Sequence, residues 1–562
     1  MKEQIVKLLT AALPDMEEND IKNSIEIPPK PELGDFAFPC FRLAKVMRKA
    51  PQMIAADIKE SIGDVDFIEE IKVEGAYLNF FIKKDTFVKQ MLDKVSDDNY
   101  GSLTIGEGKT ICIDYSSPNI AKNFHVGHLR TTIIGNSLYK IFSKLGYHVE
   151  RINHLGDWGT QFGKLIVAYK NWGTEEAVKE KGIEELMRLY VKFHAEAEKK
   201  PELEDEARAW FHKMETGDEE ALSIWKWFVD ISLEEFKRTY ALLGMEFDHY
   251  TGESFYRDKT DNVIKTLDDA GLLTESEGAK IVDLSEYDMA PCLIVKNDGS
   301  TIYATRDLAA VMYRKETYNF EKALYVTGQE QKLHFKQVFK VIELLGNEWA
   351  KDSLVHIPYG LVSLGGEKLS TREGNVIYAE DILLEAISKI KDIINEKNPD
   401  LADKDEVAKT VGVGAVLFND LYNQRIKDVS FKWENLLSFE GETGPYVQYT
   451  YARCSSLLRK SEYNPDDAVD YNLITDPASV DLLKNLYRFP DVVLSASETY
   501  EPHIVARYAI AVAQSFNKFY TDNRINVDDP ALRNARLKLV DITRRTLRDA
   551  LDLLGIGCVE EM

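Results

Sequence analysis

The sequence predicts an α/β protein built on a doubly wound parallel sheet, with an α+β unit before it and an all-helical unit after it. Three observations carry this. From Thr110 strands and helices alternate: ICIDYS reads as a strand, HLRTTIIGNSLYKIFSKLG as a helix and HVERINHL as another strand. Such alternation implies a parallel sheet whose ligands sit at the carboxyl ends of its strands. Between about 170 and 290 charged helices such as EEAVKEKGIEELMRLYVKFHAEAEKK interrupt the rhythm, which resumes with ALYVTG and HIPYGLVSL; this stretch reads as a helical insertion. After about Glu380 the chain reads as almost entirely helical, including VARYAIAVAQSFNKFY and LRNARLKLVDITRRTLRDALDLLG.

The first hundred residues mix the two periods. LAKVMRKAPQMIAADIKESI reads as helix and IEEIKVEGAYLNFFI alternates as a strand, and the Asp- and Gly-rich DDNYGSLTIGEGK reads as a linker. The expected organisation is therefore 1–106, 107–390 with its insertion, a connecting helical region 391–439, and 440–562.

At 562 residues the chain is too long for one core, and its 44% apolar content excludes a mostly disordered protein. No run of about 18 apolar residues suggests a membrane span. Five dispersed cysteines without a CxxC pair suit reduced thiols in the cytosol, and MKEQIVKLLTAALPDMEEND reads as an amphipathic helix; the expectation is a cytoplasmic enzyme. The net charge of −24 weighs against a polyanionic partner. Its distribution tempers this, because Arg533, Arg536, Lys538, Arg544, Arg545 and Arg548 crowd one helical segment, either as a solvated face or as a contact for polyanions.

Two stretches carry chemistry. SSPNIAKNFHVGHLR (116–130) follows a strand and opens a helix, whose free N–H groups and positive dipole end suit an anion. His125 and His128 face one side and can donate to phosphate oxygens, while Gly127 lets a flat base or phosphate approach the backbone. Capping or core histidines are the plain alternative. Half of a metal site is another, unsupported by any HExxH or cysteine ligand. The second stretch, EKLSTREGNV (367–376), places Lys368, Ser370 and Arg372 beside glycines, where a loop could close over a triphosphate.

Together these stretches resemble the HIGH-type and KMSKS-type signatures of class I aminoacyl-tRNA synthetases, which bracket a Rossmann-like ATP site. The resemblance sharpens to the arginyl-tRNA synthetase family through HLGDWGTQFGKLI (154–166), YATRDLAA (303–310), TGQEQKLHF (327–335), EGETGPYVQYTYAR (440–453) and the C-terminal DALDLLGI (549–556), in that order. It covers nearly the whole chain, most weakly in the first hundred residues. It implies activation of L-arginine by ATP, then esterification of the terminal adenosine of tRNA(Arg), with bound tRNA generally needed before arginine is activated. The 440–562 region would be the helical anticodon-binding domain. The expected partners are ATP with Mg²⁺, arginine and tRNA(Arg), without a dedicated protein metal cage, and the family favours a monomer.

The same resemblance assigns residues. His125, His128 and Lys368 would hold ATP phosphates, Gly127 would leave room for the adenine, and Ser370 belongs to the loop signature. The guanidinium calls for carboxylates in fork geometry: Asp307 is the matching position, with Tyr303 a helical turn earlier and Glu253 as a second carboxylate. Asp114, Ser117, Asn119 and Gln331 match the end that holds the substrate's α-amino and carboxylate groups; Asp114 stands where some relatives carry Glu. Tyr77 and Asn79 resemble the N-terminal contact to the corner of tRNA, where strand core is the alternative, and Tyr520 and Met562 match anticodon-loop contacts. Where the class signature ends in a second lysine, this chain reads Lys368-Leu369-Ser370-Thr371. Lys122, three residues before His125, is expected to supply the missing charge, with Arg372 as the weaker candidate. Competing readings are a cytidylyltransferase sharing the HxGH signature, which needs no long helical C-terminus, and a catalytically silent RNA-binding relative.

Overall fold

The computed structural model describes residues 1–364, 367–368 and 378–562. Ser370 and Arg372 lie outside the described residues, and of Lys368 only the backbone is described. The chain packs as two compact units that do not follow its linear order: one combines 1–100 with 457–489 and 514–544, the other 101–456 with 490–513 and 545–562.

In the first unit, strands β1 (Phe36–Pro39), β2 (Ile68–Glu74) and β3 (Tyr77–Ile82) form an antiparallel sheet in the order β1-β3-β2. The segment read as one strand is thus a hairpin. Gly75, at φ 59°, supplies the left-handed turn that a residue with a Cβ adopts only at a cost. The segment read as one helix is two, Leu43–Met47 and Pro51–Ile62, separated by left-handed Arg48 and by Pro51 at the start of the second. Lys484 Nζ reaches Asp35 at 2.6 Å and the Tyr100 hydroxyl donates to the Tyr487 carbonyl at 2.5 Å, tying this α+β layer to helices from late in the chain.

The second unit is built on five parallel strands: β4 (Thr110–Asp114), β5 (His148–Asn153), β6 (His249–Tyr250), β10 (Lys322–Gly328) and β11 (Leu354–Tyr359), in the order β11-β10-β4-β5-β6. Strands β7 (Leu273–Ser276), β8 (Ala279–Val282) and β9 (Cys292–Val295) make a small antiparallel sheet of their own. The region expected as a helical insertion is helical through Leu243, but then places β6 in the main sheet before these three strands. Short strands joined through Glu277 and Gly278, both at positive φ, carry too few apolar residues to show strand periodicity. Strand β4 is apolar and buried because helices cover both faces of a parallel sheet. The Val126–Lys144 helix packs so tightly over it that a Cβ on Gly135 would lie 2.2 Å from the Tyr115 ring.

From β4 the chain winds one way to β5 and β6, then returns to the other side as β10 and β11. The reversal lies between β4 and β10, and there a doubly wound sheet opens its crevice. Beyond β11, β12 (Val362–Leu364) pairs in parallel with β14 (Val429–Phe431) and antiparallel with β13 (Glu367–Lys368); of the three only β14 lies inside the stretch expected to be helical.

Candidate active site

At the switch point a cleft of about 1110 Å³ opens, lined by residues from the ends of β4, β5, β10 and β11. It brings together Asp114, Ser117, Asn119, His125, Gly127, His128, Glu253, Tyr303, Asp307 and Gln331, every one of which the sequence had singled out.

The segment after β4 is strained. Ser116, Ser117 and Ala121 hold left-handed φ angles of 70°, 45° and 58°, each a cost of about 1–3 kcal/mol that surrounding bonds must offset. The Ser116 N–H donates to Thr131 Oγ1 at 3.2 Å, and its hydroxyl lies 2.7 Å from the Tyr240 hydroxyl. Ser117 Oγ donates to Asp114 Oδ1 at 2.9 Å, and the Ala121 N–H donates to Ser232 Oγ at 3.0 Å.

His125 and His128 form a reciprocal cap on the Val126–Lys144 helix. His125 Nδ1 accepts the Gly127 N–H at 3.1 Å and His128 Nδ1 accepts the His125 N–H at 3.3 Å, with the rings stacked 3.8 Å apart. A Cβ on Gly127 would stand 2.9 Å from the His125 ring, so the glycine lets that ring fold over the helix start. Capping and phosphate binding are therefore compatible. Because each Nδ1 accepts, each neutral ring carries its proton on Nε2 as a free donor. Burial pushes the His128 pKa well below the ordinary value, helped by His125 and Lys122; burial and Lys122 lower that of His125. Both rings donate without being cations.

At the other end of the cleft, Asp114 Oδ2 pairs with the buried Arg314 guanidinium at 2.8 Å. Asp307 Oδ2 accepts from His334 Nε2 at 2.5 Å, and Oδ1 stands 3.7 Å from His154 Nε2. Burial pushes Asp307 upward, but the His334 hydrogen bond and the charges of His334, His154 and Arg314 hold it below the usual carboxylate range. Glu253, 3.3 Å from Arg306, is the contrasting acid: burial raises its pKa and Arg306 only partly opposes this. Tyr303 and Asp307 share a face one turn apart on the Tyr303–Tyr318 helix, and the Tyr303 ring meets His334 edge-on at 4.8 Å. Gln331 stands on the 3₁₀ turn after β10, and Asn119 packs where a Cβ on Gly156 would lie 2.1 Å from its Oδ1.

Lys122 is exposed and does not line the cleft, although its charge acts on both histidines. The backbone of Lys368 pairs with that of Ser363, a cleft residue, and Tyr378 forms a bridge to His125. The described residues on either side of 369–377 are thus anchored at the His125 end of the cleft. Tyr77 and Asn79 project from one side of β3; Tyr77 stands edge-on to the exposed Phe41 at 5.4 Å, whereas Asn79 is buried, its amide 3.5 Å from Glu74. Tyr520 stacks on Phe516, and the Met562 carbonyl accepts from Asn398 at 3.4 Å. The C-terminal basic stripe is partly spent: Arg536 donates to the Arg524 carbonyl and Asn523, Arg544 to Asp541 and Arg548 to Asp549.

Sequence reasoning passed over His154, His334, Arg314 and Arg130. The first two stand inside motifs it had quoted, and Arg314 lies two turns after Asp307 on one helix. Arg130 ends the HVGHLR signature and is fully buried. It donates to the carbonyls of Gly360, Leu361, Arg425 and Lys427 at 2.7–3.1 Å, fastening the signature helix to the passage from β11 into β12.

A switch-point cleft with a helix-capping histidine pair at one end and carboxylates at the other defines a class I tRNA synthetase catalytic domain, and the family described as tRNA synthetases class I (R), catalytic domain, matches residues 88–433. The DALR anticodon binding domain matches 447–562 and the arginyl tRNA synthetase N terminal domain matches 1–82. The chain belongs to the arginine–tRNA ligase family. It is 54% identical over 563 residues to the arginine–tRNA ligase of Alkaliphilus metalliredigens, covering 100% of this chain and 99% of that one. It is 56% identical over 552 residues to that of Clostridium perfringens, covering 98% and 97%. Among solved structures, the arginyl-tRNA synthetase of Thermus thermophilus superposes with a TM-score of 0.86 at 26% identity, with both chains fully covered.

Proposed function

We propose that this cleft activates L-arginine with MgATP and passes the arginyl group to the terminal adenosine of tRNA(Arg). In the first step an oxygen of the arginine carboxylate attacks the α-phosphorus in line, and pyrophosphate leaves with the electron pair of the broken P–O bond. In the second, an adenosine hydroxyl attacks the activated carbonyl and AMP leaves. The protein's share is positioning and electrostatics, since phosphoryl and adenylyl transfer need little covalent help.

Residue roles follow from the chemistry of each end. His125 and His128 donate from Nε2 to phosphate oxygens, with Lys122 and Lys368 as point charges and Ser370 on the same loop. Asp307 and Glu253 face the guanidinium, whose arrival favours the ionised form of the raised Glu253. Tyr303 lies along the substrate's side chain, while Asp114, held by Arg314 and Ser117, meets the α-ammonium with Asn119 and Gln331. Mg²⁺ arrives with the triphosphate, as a hard cation that keeps phosphate and water ligands; among the described residues no group of three metal-ligating side chains stands together. For tRNA, Tyr77 with Asn79 two residues along the same strand suits an unpaired base at the corner, and Tyr520 and Met562 suit the anticodon loop. Among the described residues no helix is long and apolar enough to cross a membrane, and a cytosolic monomer is the expected setting.

One observation carries this reading: neutral histidine donors, suited to a phosphate, and a pair of carboxylates, suited to a cation, line one cleft. The test is ATP–pyrophosphate exchange with purified tRNA(Arg). Arginine alone among the amino acids should support it, and only with tRNA present. Exchange with no amino acid would leave an RNA-binding relative without catalysis.

A further inference from the structure

An aspartate carboxylate turns easily about its last bond, because that sp³–sp² torsion is broad. A compact ammonium tolerates such freedom, whereas a guanidinium is a planar fork and needs its carboxylate held at one angle. Asp307 is held. Its Oδ2 lies 2.5 Å from His334 Nε2. Burial works against the ionised form of Asp307, but the His334 hydrogen bond and the charges around it hold its pKa below the usual carboxylate range. An ionised carboxylate has no proton to give, so Nε2 donates whether the His334 ring is neutral or cationic. Oδ1 is left to the cleft, with His154 Nε2 3.7 Å away and beyond hydrogen-bond range.

The donor is itself fixed. His334 stands in the first turn of the Lys332–Leu344 helix, three residues after Gln331, and only 12% of its side chain is exposed. Its ring meets the Tyr303 ring edge-on at 4.8 Å and the Phe335 ring at 5.1 Å. Tyr303 and Asp307 both line the cleft from the first turn of one helix, and a single imidazole from another helix touches both. Resting on the arginine-activation reading above, we propose that His334 is a positioning residue for arginine recognition: its Nε2–H takes Oδ2 of Asp307 and so aims Oδ1 at the substrate guanidinium, while its ring sets Tyr303 alongside.

His334 acts through the carboxylate, because its Nε2 is already spent on Asp307. Removing the donor leaves the charge of Asp307 in place and frees its angle. The loss therefore falls on the substrate whose donors lie in one plane, and ATP, which meets other residues, is spared.

Three substitutions and one double variant separate this role from packing. His334→Leu keeps apolar bulk against Tyr303 and Phe335 and removes the donor. His334→Gln places an amide N–H near the Nε2 position, and His334→Asn places one near Nδ1, short of Asp307. In tRNA-dependent exchange His334→Leu should lower kcat/KM for arginine roughly 10- to 100-fold through KM, the range for one hydrogen bond to a charged group. The ATP KM should stay within about twofold of wild type. His334→Gln should recover most of the loss, and His334→Asn should behave as the leucine variant. In the Asp307→Ala background no carboxylate remains to be aimed, and His334→Leu should cost at most about a further twofold, since the two residues act as one unit. Losses that multiply in the double variant would overturn the proposal, as would full activity of His334→Leu or better recovery by Asn than by Gln. Wild-type arginine kinetics in Asp307→Ala alone would instead remove the guanidinium reading, and the proposal that rests on it.

Discussion

Arg130 Nε stands 3.4 Å from Asp420 Oδ1, and neither side chain exposes more than 3% of its surface. The same guanidinium serves four backbone carbonyls, so one residue of the nucleotide signature organises two loops far away in sequence. Burial raises Asp420 to about 6 even with the cation opposite. Arg130→Ala would strand a buried carboxylate and four carbonyl groups and should cost about 3–5 kcal/mol of unfolding free energy. Asp420→Asn keeps a polar partner and should cost less. Urea denaturation of both variants checks the order; a loss under about 1 kcal/mol for Arg130→Ala would refute the anchoring role.

Asp307→Ala removes a cleft carboxylate that stays below the usual range in spite of burial. Truncating one member of a buried charge pair costs about 2–5 kcal/mol, or roughly 30- to several-thousand-fold in affinity. The loss should fall on the arginine KM, leaving the ATP KM nearly constant. Wild-type arginine kinetics in this variant would eliminate Asp307 as the guanidinium partner.

Lys122 replaces, on this reading, the second lysine of the loop signature. Its charge reaches both capping histidines although its side chain stands outside the cleft lining. Lys122→Ala should lower kcat for exchange by roughly 10²–10³, the scale of one lost transition-state donor, with little change in arginine KM. Arg372→Ala should be milder. The reverse order in parallel assays would transfer the role to Arg372.

His356 joins Thr327 Oγ1 at 2.9 Å and stacks on Phe335, and burial holds its pKa at about 4. The unfolded chain takes up this proton at the ordinary histidine value and the folded chain refuses it. The unfolded state therefore binds more protons between about pH 6.5 and 4, and stability falls as pH drops through that window. His356→Asn, which cannot titrate, should flatten the slope of unfolding free energy against pH there; His125, His128 and His194 shift the same way and add to the slope, while Asp420, raised to about 6, opposes it. An identical slope in wild type and variant would show that His356 is not buried as neutral imidazole.

Much of the site was legible before any coordinates. Tyr303 and Asp307 fall on one face because the helix repeats every 3.6 residues, and a histidine pair following a strand marks a helix start. The boundary errors were local: the alternation of 68–82 continues through the Gly75 turn, and β7–β9 are too short and polar to announce themselves.

What the sequence by itself determined was the set of chemical groups and the elements that carry them: strand β4, the capped helix and the carboxylate on the Tyr303–Tyr318 helix. Propensity, capping and periodicity act over a few residues, so a linear reading reaches them. Only the tertiary structure decided which groups meet. The opposition of His154 Nε2 to Asp307 Oδ1 spans 153 positions, and the Arg130 bond to the Arg425 carbonyl spans 295. Such contacts arise from strand order and helix packing, in which residues distant along the chain are fixed by burial of the surfaces between them.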